Sequence, residues 1–268
     1  MNEAPNGRVL LDLREGIAVM TLNDPSVLNA FGLKLRQDMS WALDQVESGA
    51  ARCLMITGAG RAFCSGANLN DPDRPPRDRA AEARGEAKSD LDTWYHPTFL
   101  RLRDLNMPVV TAINGIAAGA GMSLALMGDI RIAARSASFL QAFARIGLVP
   151  DCGSSYLLPR MIGMARAMEL SLLAERLPAE TALAWGMINR VVDDAALPEA
   201  ARAIARTLAD GPASLTMIRK MYWAGLENSY EQQLALEGKY QAQAGLTADY
   251  GEGVAAFREK RRTRFTGR

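Results

Sequence analysis

AINGIAAGAGMSLALMGDIRIAARSASF, Ala112 to Phe139, is the stretch whose reading decides the fold. The apolar run Pro108 to Ile113 that leads into it reads as a buried strand, Met122 to Gly128 as an apolar helix, and Ile130 to Ala133 as another strand. A helix this apolar stands only inside a core, so its first free N–H groups point into the interior instead of into water. Such a helix start favours an oxyanion. Gly119 and Gly121 are equally well explained by tight chain crossings, and the residues alone leave both explanations open.

Working outward, the same order of elements stands upstream. RVLLDLREGIAVMTL, Arg8 to Leu22, alternates apolar residues about Glu15-Gly16 and reads as a β-hairpin. Phe31, Leu35, Met39, Leu43 and Val46 share one helical face, and Arg52 to Thr57 follows as a short buried strand. Repeated β/α units of this kind make an α/β fold with a parallel-type core. A second glycine-rich turn, TGAGRAFCSGANL from Thr57 to Leu69, also follows a strand. Neither turn is a nucleotide loop, because the first lacks Gly-Lys-Ser/Thr and the second spaces its glycines as GxxxGxG.

Asp71 to Asp90, DPDRPPRDRAAEARGEAKSD, is rich in proline and charge without an apolar stripe and reads as a mobile surface loop or lid. From about Leu197 the pattern becomes helical almost without strand signals. The faces carrying Trp223, Tyr230, Leu234 and Leu236 exceed what a small helical appendage buries alone, which predicts packing onto a neighbouring subunit.

Composition narrows the function. The 268 residues are 49% hydrophobic, enough for a large core, and 31 Lys+Arg against 30 Asp+Glu leave +1, so no bulk field points to nucleic acid or an anionic membrane. No stretch has the length of a membrane span and the start lacks a signal-peptide pattern, so the expected location is the cytoplasm. Cys53, Cys64 and Cys152 form no CxxC pair and are expected as reduced thiols, with no metal site. The single histidine, His96, reads as a loop or packing residue.

In ARIGLVPDCGSSYLLPR, Asp151 follows Pro150 and opens a helix start. An N-cap explains it plainly. The apolar neighbours Ile146, Leu148, Val149, Tyr156, Leu157 and Leu158 would also raise its pKa toward general acid/base territory.

The fragments GAGRAFCSGANLND, AINGIAAGAGMSLALMGDIRIAARSASF, IGLVPDCGSSYLLPR, AWGMINRVVDD and ADYGEGVAAFREKRRTRFTGR resemble the enoyl-CoA hydratase/isomerase (crotonase) superfamily almost end to end. Within it they are most similar to the ring-1,2-epoxyphenylacetyl-CoA isomerases of bacterial phenylacetate degradation. The resemblance implies a spiral of strand-strand-helix turns over residues 1–196, forming two roughly perpendicular sheets and holding a CoA-thioester site. It further implies a helical trimerisation subdomain over 197–268 and assembly as a trimer or a dimer of trimers. The backbone N–H groups of Ala67 and Ala120 would form the oxyanion hole, each worth roughly 3 to 4 kcal/mol of transition-state stabilisation. Coenzyme A would enter as part of the substrate, with no separate cofactor, and Lys260 of a neighbouring subunit would meet its phosphates unless it is an ordinary solvated charge.

Hydratases of the superfamily carry two catalytic glutamates. By the resemblance, Ser123 and Phe143 stand at those positions, lining the substrate pocket, which leaves Asp151 as the acid/base of an isomerase. Asn68 stands where the most similar isomerases have aspartate; as a loop residue it would hydrogen-bond its own turn. Cys64 and Cys152 flank these sites as packed small residues. Two further possibilities stay open within the resemblance: another superfamily reaction, such as Δ3,Δ2-enoyl-CoA isomerisation or residual hydration, and a non-catalytic acyl-CoA-binding protein. A nucleotide-binding module on the glycine turns is a third.

Overall fold

A computed structural model describes residues 2–268. The chain opens with β1 (Asn2–Glu3), β2 (Val9–Arg14) and β3 (Ile17–Leu22), followed by α1 (Leu33–Ser48). A strand-strand-helix order then recurs three times. The first turn is β4 (Cys53–Gly58) and β5 (Ala62–Cys64), with α2 (Arg79–Ala83) and α3 (His96–Asp104). The second is β6 (Val109–Ile113), β7 (Ile116–Ala118) and α4 (Ala120–Leu126). The third is β8 (Ile130–Ala134), β9 (Ser138–Leu140) and α5 (Ser154–Ile162). After these come α6 (Met164–Leu173), β10 (Leu177–Pro178), α7 (Ala179–Ala184) and β11 (Arg190–Val192). The chain closes with α8 (Leu197–Ala209), α9 (Ser214–Gly225), α10 (Tyr230–Gly245) and α11 (Ala248–Glu259).

The long strands build one sheet in the order β1-β2-β3-β4-β6-β8-β11, and the short ones build a second in the order β10-β9-β7-β5. The hairpin expected at Glu15-Gly16 pairs Arg14 with Ile17, and both turn residues have positive φ, as a two-residue mirror-image turn requires. β3, β4, β6, β8 and β11 run parallel. Such a sheet is covered on both faces, which is why β6 is buried at every residue instead of alternating. α1 buries Leu35, Met39, Leu43 and Val46 as its spacing predicts. On α8, Ala201, Ala205 and Ala209 recur every fourth residue, and these small side chains let the helix lie closely against β4, β6 and β8.

Two features depart from the expectations. The second sheet consists mostly of three-residue strands too short to show a period in sequence. Trp223 is not left for a neighbour: it packs against the core, and its Nε1 donates to Asp129 Oδ1 at 3.3 Å. Asp129 Oδ2 also accepts from Arg219 Nε at 2.7 Å and from the Val109 N–H at 2.7 Å, fastening α9 to the sheet. Tyr230 and Leu234 on α10 do remain exposed.

The glycine turns are chain crossings. A Cβ added at Gly121 would stand 2.1 Å from the Cys64 carbonyl oxygen, so the first turn of α4 and the end of β5 touch backbone to backbone. Gly121→Ala is therefore expected to lower stability by about 3 kcal/mol in denaturant titration, because neither contacting group is a flexible side chain.

Candidate active site

β5, β7 and β9 are parallel neighbours, so their carboxyl ends open on one edge. Ligands gather at such edges, where the chain leaves the sheet in turns whose backbone groups are not consumed by pairing. Here Ala67, Ala120 and Phe143 leave β5, β7 and β9 in turn, and all three line a pocket of about 640 Å³. The two glycine-rich turns and the segment before Asp151 are thereby brought together.

At Ala67 the neighbouring groups are spent: the Phe31 N–H donates to the Gly66 carbonyl at 2.7 Å, and the Asn68 N–H donates to the Phe31 carbonyl at 3.2 Å. In this parallel bridge the N–H of Ala67 itself takes no part in the pairing, and Ala67 lines the pocket. Ala120 is the first residue of α4, so its N–H has no intrahelical acceptor. Gly119 before it has φ 51°, which turns the chain from β7 into the helix without a Cβ. Two polar side chains hold the first turn. Asn29, fully buried, donates from Nδ2 to the Ala59 and Ala62 carbonyls at 3.0 and 2.8 Å. Asn114 accepts from the Gly58 N–H at 3.0 Å and donates to the Gly60 carbonyl at 2.9 Å, which ties the two crossings together.

Asp151 lines the same pocket, half-buried, with Oδ1 buried and without a hydrogen-bond partner. Burial raises its pKa above the usual carboxylate range, opposed by the Cys152 thiol and by His96. Its backbone is held firmly: the carbonyl accepts from Ser123 Oγ at 3.1 Å and from Ser154 Oγ at 2.9 Å. Cys152 and Gly153 follow with φ of 53° and 80°. A left-handed cysteine is strained, and the strain marks a turn that its surroundings impose. Burial pushes the Cys64 thiol up to about 12 and the Cys152 thiol higher still, so neither is a nucleophile near neutral pH.

The enoyl-CoA hydratase/isomerase family model matches residues 12–268. The chain belongs to that family. It is 46% identical to the 1,2-epoxyphenylacetyl-CoA isomerase of Escherichia coli (strain K12) over 97% of this chain and 98% of that protein. It is 45% identical to a Rhodobacter capsulatus protein named "Probable enoyl-CoA hydratase" over 96% of this chain and 97% of the relative. The enoyl-CoA hydratase of Bacillus anthracis superposes with a TM-score of 0.88 at 29% identity, covering 97% of this chain and all of that one. The molecule is thus an enzyme with the crotonase fold, an acyl-CoA isomerase/hydratase by family.

Within this crotonase-fold enzyme the residues named from sequence are not all gathered. Ala67, Asn68, Ala120, Phe143 and Asp151 share the pocket. Ser123, expected on the pocket wall, is fully buried behind it with its hydroxyl on the Asp151 carbonyl. Asn68 Oδ1 accepts from the Asn70 N–H at 3.1 Å, the turn bond its residue type favours. Lys260 is the exposed residue that ends α11 and is not among the residues lining this pocket.

The segment from Asp71 to Asp90 is a wall of the pocket. Its charges pair with one another or with α1: Arg74 with Asp90 at 2.9 Å, Arg77 with Glu82 at 2.8 Å, Lys34 with Asp73 at 2.8 Å. Asp90, Arg36, Tyr95 and His96 are pocket residues that the sequence reading missed. A π-helical turn, Leu91–Tyr95, aims the last two, and His96 begins α3 instead of lying in a loop. Asp90 is a second carboxylate in the cavity. Its oxygens face Arg74 at 2.9 Å, Arg77 at 3.4 Å and Arg36 at 3.5 Å, so it is held as a counter-ion.

No helix among the described residues is long and apolar enough to cross a membrane, and no three metal-ligating side chains cluster among them.

Because the folded state holds the Asp151 proton more tightly than the unfolded chain does, stability falls as pH rises through the Asp151 titration. Asp151→Asn, which cannot ionise, is expected to melt above the wild type at pH 7. The gap should close below the ordinary aspartate range, about pH 4, as followed by calorimetry across pH.

Proposed function

We propose that this enzyme isomerises a coenzyme A thioester of the 1,2-epoxyphenylacetyl-CoA kind, with Asp151 as the acid/base. The reading is supported by one observation: Asp151, whose carboxyl has a raised affinity for its proton and a buried oxygen without a hydrogen-bond partner, lines the same pocket as Ala67 and Ala120. The thioester carbonyl accepts from the N–H groups of Ala67 and Ala120, which stabilise the enolate oxygen as charge develops there. Asp151 takes a proton from the carbon next to that carbonyl and returns it further along the acyl group, or assists opening of a ring epoxide. One carboxylate suffices, because the proton removed is the proton returned. The 46% identity to an enzyme named for this isomerisation supports the choice of substrate.

Hydration is the second reading, favoured by the 45% identity to the Rhodobacter capsulatus relative. Against it stand Ser123 and Phe143, which by family resemblance occupy the hydratase glutamate positions, and neither activates water near neutral pH. Asp90 does not replace them while three guanidinium groups surround it.

In this reading Ser123 and Asn68 act on the pocket from its border: Ser123 fixes the Asp151 backbone, and Asn68 shapes the oxyanion turn. Phe143 packs on the acyl group opposite Gly119. The C-terminal helices carry the contacts of a homotrimer or a dimer of trimers, with Tyr222, Tyr230, Leu246 and Phe257 as apolar surface for it, and Lys260 meets CoA phosphates of a neighbouring subunit. The location is the cytoplasm.

Asp151→Asn is expected to lower kcat about a thousandfold, with 1,2-epoxyphenylacetyl-CoA as substrate, and to leave acetyl-CoA binding nearly intact. The wild-type acid limb of kcat/KM should lie above the ordinary aspartate pKa of about 4, since activity needs the ionised form that burial disfavours. Full activity in the variant would overturn the mechanism. A panel of enoyl-CoAs that hydrate faster than the epoxide isomerises would favour the second reading.

A further inference from the structure

Arg36 stands on the buried face of α1, one residue after Leu35, and is only 5% exposed. Few arginines lie so deep unless every donor is engaged. Here they are not: Nε donates to the Gly32 carbonyl at a long 3.3 Å, and Nη1 is buried with no hydrogen-bond partner. The guanidinium lines the pocket and lies 5.4 Å from the centre of the Tyr95 ring and 5.9 Å from that of Trp94. Asp90 Oδ1 is 3.5 Å from Nη1, an ion pair without a hydrogen bond, while Arg74 and Arg77 take the other carboxylate oxygen, Oδ2. The arginine is therefore more than an anchor for the Asp71 to Asp90 wall.

Its place relative to the reacting carbonyl follows from a chain of contacts. Ala67, which lines the pocket, is bridged to Phe31. The Phe31 ring meets the Tyr95 ring edge-on at 5.6 Å, and Tyr95 carries the Arg36 guanidinium over its face. Tyr95 also lies within electrostatic reach of Asp151. An acyl group lying along these two rings from the Ala67 end of the pocket would reach the Arg36 cation. Rings suit the walls, and an oxygen suits the end.

We propose that Arg36 donates to an oxygen carried on the ring of the bound acyl group, and so selects oxygenated ring acyl-CoAs over their carbocyclic counterparts. The oxygen is neutral, as in an epoxide, ring ether or hydroxyl, because the Asp90 carboxylate beside Nη1 repels an anionic one. Free, the site leaves a buried donor unsatisfied; occupied, it satisfies it, and a ligand lacking the oxygen forfeits that gain. This rests on the CoA-thioester reading above and adds to it the side chain that recognises the ring oxygen.

The test compares 2-hydroxyphenylacetyl-CoA with phenylacetyl-CoA by isothermal titration calorimetry on the wild type, Arg36→Gln and Asp90→Asn. The wild type should bind the hydroxylated thioester about tenfold or more tightly, as a charge-assisted hydrogen bond allows. Arg36→Gln should erase that preference while phenylacetyl-CoA still binds. Asp90→Asn, which removes the ion pair and keeps the guanidinium, should retain it. Equal binding of the two thioesters by the wild type overturns the assignment of Arg36 without any variant and leaves the CoA-thioester reading standing. Loss of the preference in Asp90→Asn as fully as in Arg36→Gln also overturns it, since the arginine would then act only by anchoring the wall. If the wild type binds neither thioester, the CoA reading fails as well.

Discussion

At Gly121 the first turn of α4 crosses the end of β5 so closely that a Cβ would stand 2.1 Å from the Cys64 carbonyl oxygen. The pocket depends on this crossing and on its counterpart at Gly66, where a Cβ would stand 2.7 Å from the Ala118 carbonyl oxygen. Backbone at this distance leaves no room for a Cβ at either glycine, so the two turns can meet only where the chain carries none. The first turn is further held by Asn29 and Asn114, which donate to the Ala59, Ala62 and Gly60 carbonyls where β4 leads into β5. Donors held by the fold need no reorganisation when charge appears on an oxygen between them.

The two carboxylates of the cavity show how environment divides roles between chemically similar groups. Asp90 is surrounded by Arg36, Arg74 and Arg77, and its Oδ2 accepts from Arg74 at 2.9 Å. Asp151 has apolar neighbours, a buried unpartnered oxygen and a raised pKa. Only the second is both free to take a proton and driven to hold it. One cavity thus holds a carboxylate fixed among cations and another that burial desolvates.

The larger sheet and its helices were legible because long elements carry a period: Leu35 to Val46 at helical spacing, Leu11 to Leu22 alternating about Glu15-Gly16. β5, β7 and β9 were not, since three residues show no period, yet their shared edge is what gathers the site. The glycine turns were visible as turns; whether they were crossings or N–H donors was undecidable from residues, and the geometry makes them crossings. Arg36 stayed hidden because one charged residue beside an apolar stripe normally snorkels to water. Its neighbour Leu35 marks the buried face, and that adjacency was the available signal. The charge scatter between Asp71 and Asp90 suggested mobility for want of partners, which only the folded chain supplies.

Ser123 shows best how the same scaffold is given a different chemistry. A glutamate at its position would extend from α4 toward the cavity and bring a second base. The serine is too short to reach the cavity, and its hydroxyl turns instead to the Asp151 carbonyl at 3.1 Å. That bond, with the one from Ser154, fixes a turn in which Cys152 adopts φ 53° against its preference. Strain at Cys152 and the desolvation of Asp151 are both unfavourable, and they fall on adjacent residues. A flexible turn would relieve both by letting the carboxylate swing to water. Two buried hydroxyls on one carbonyl oppose this, so Ser123, together with Ser154, keeps Asp151 at the pocket.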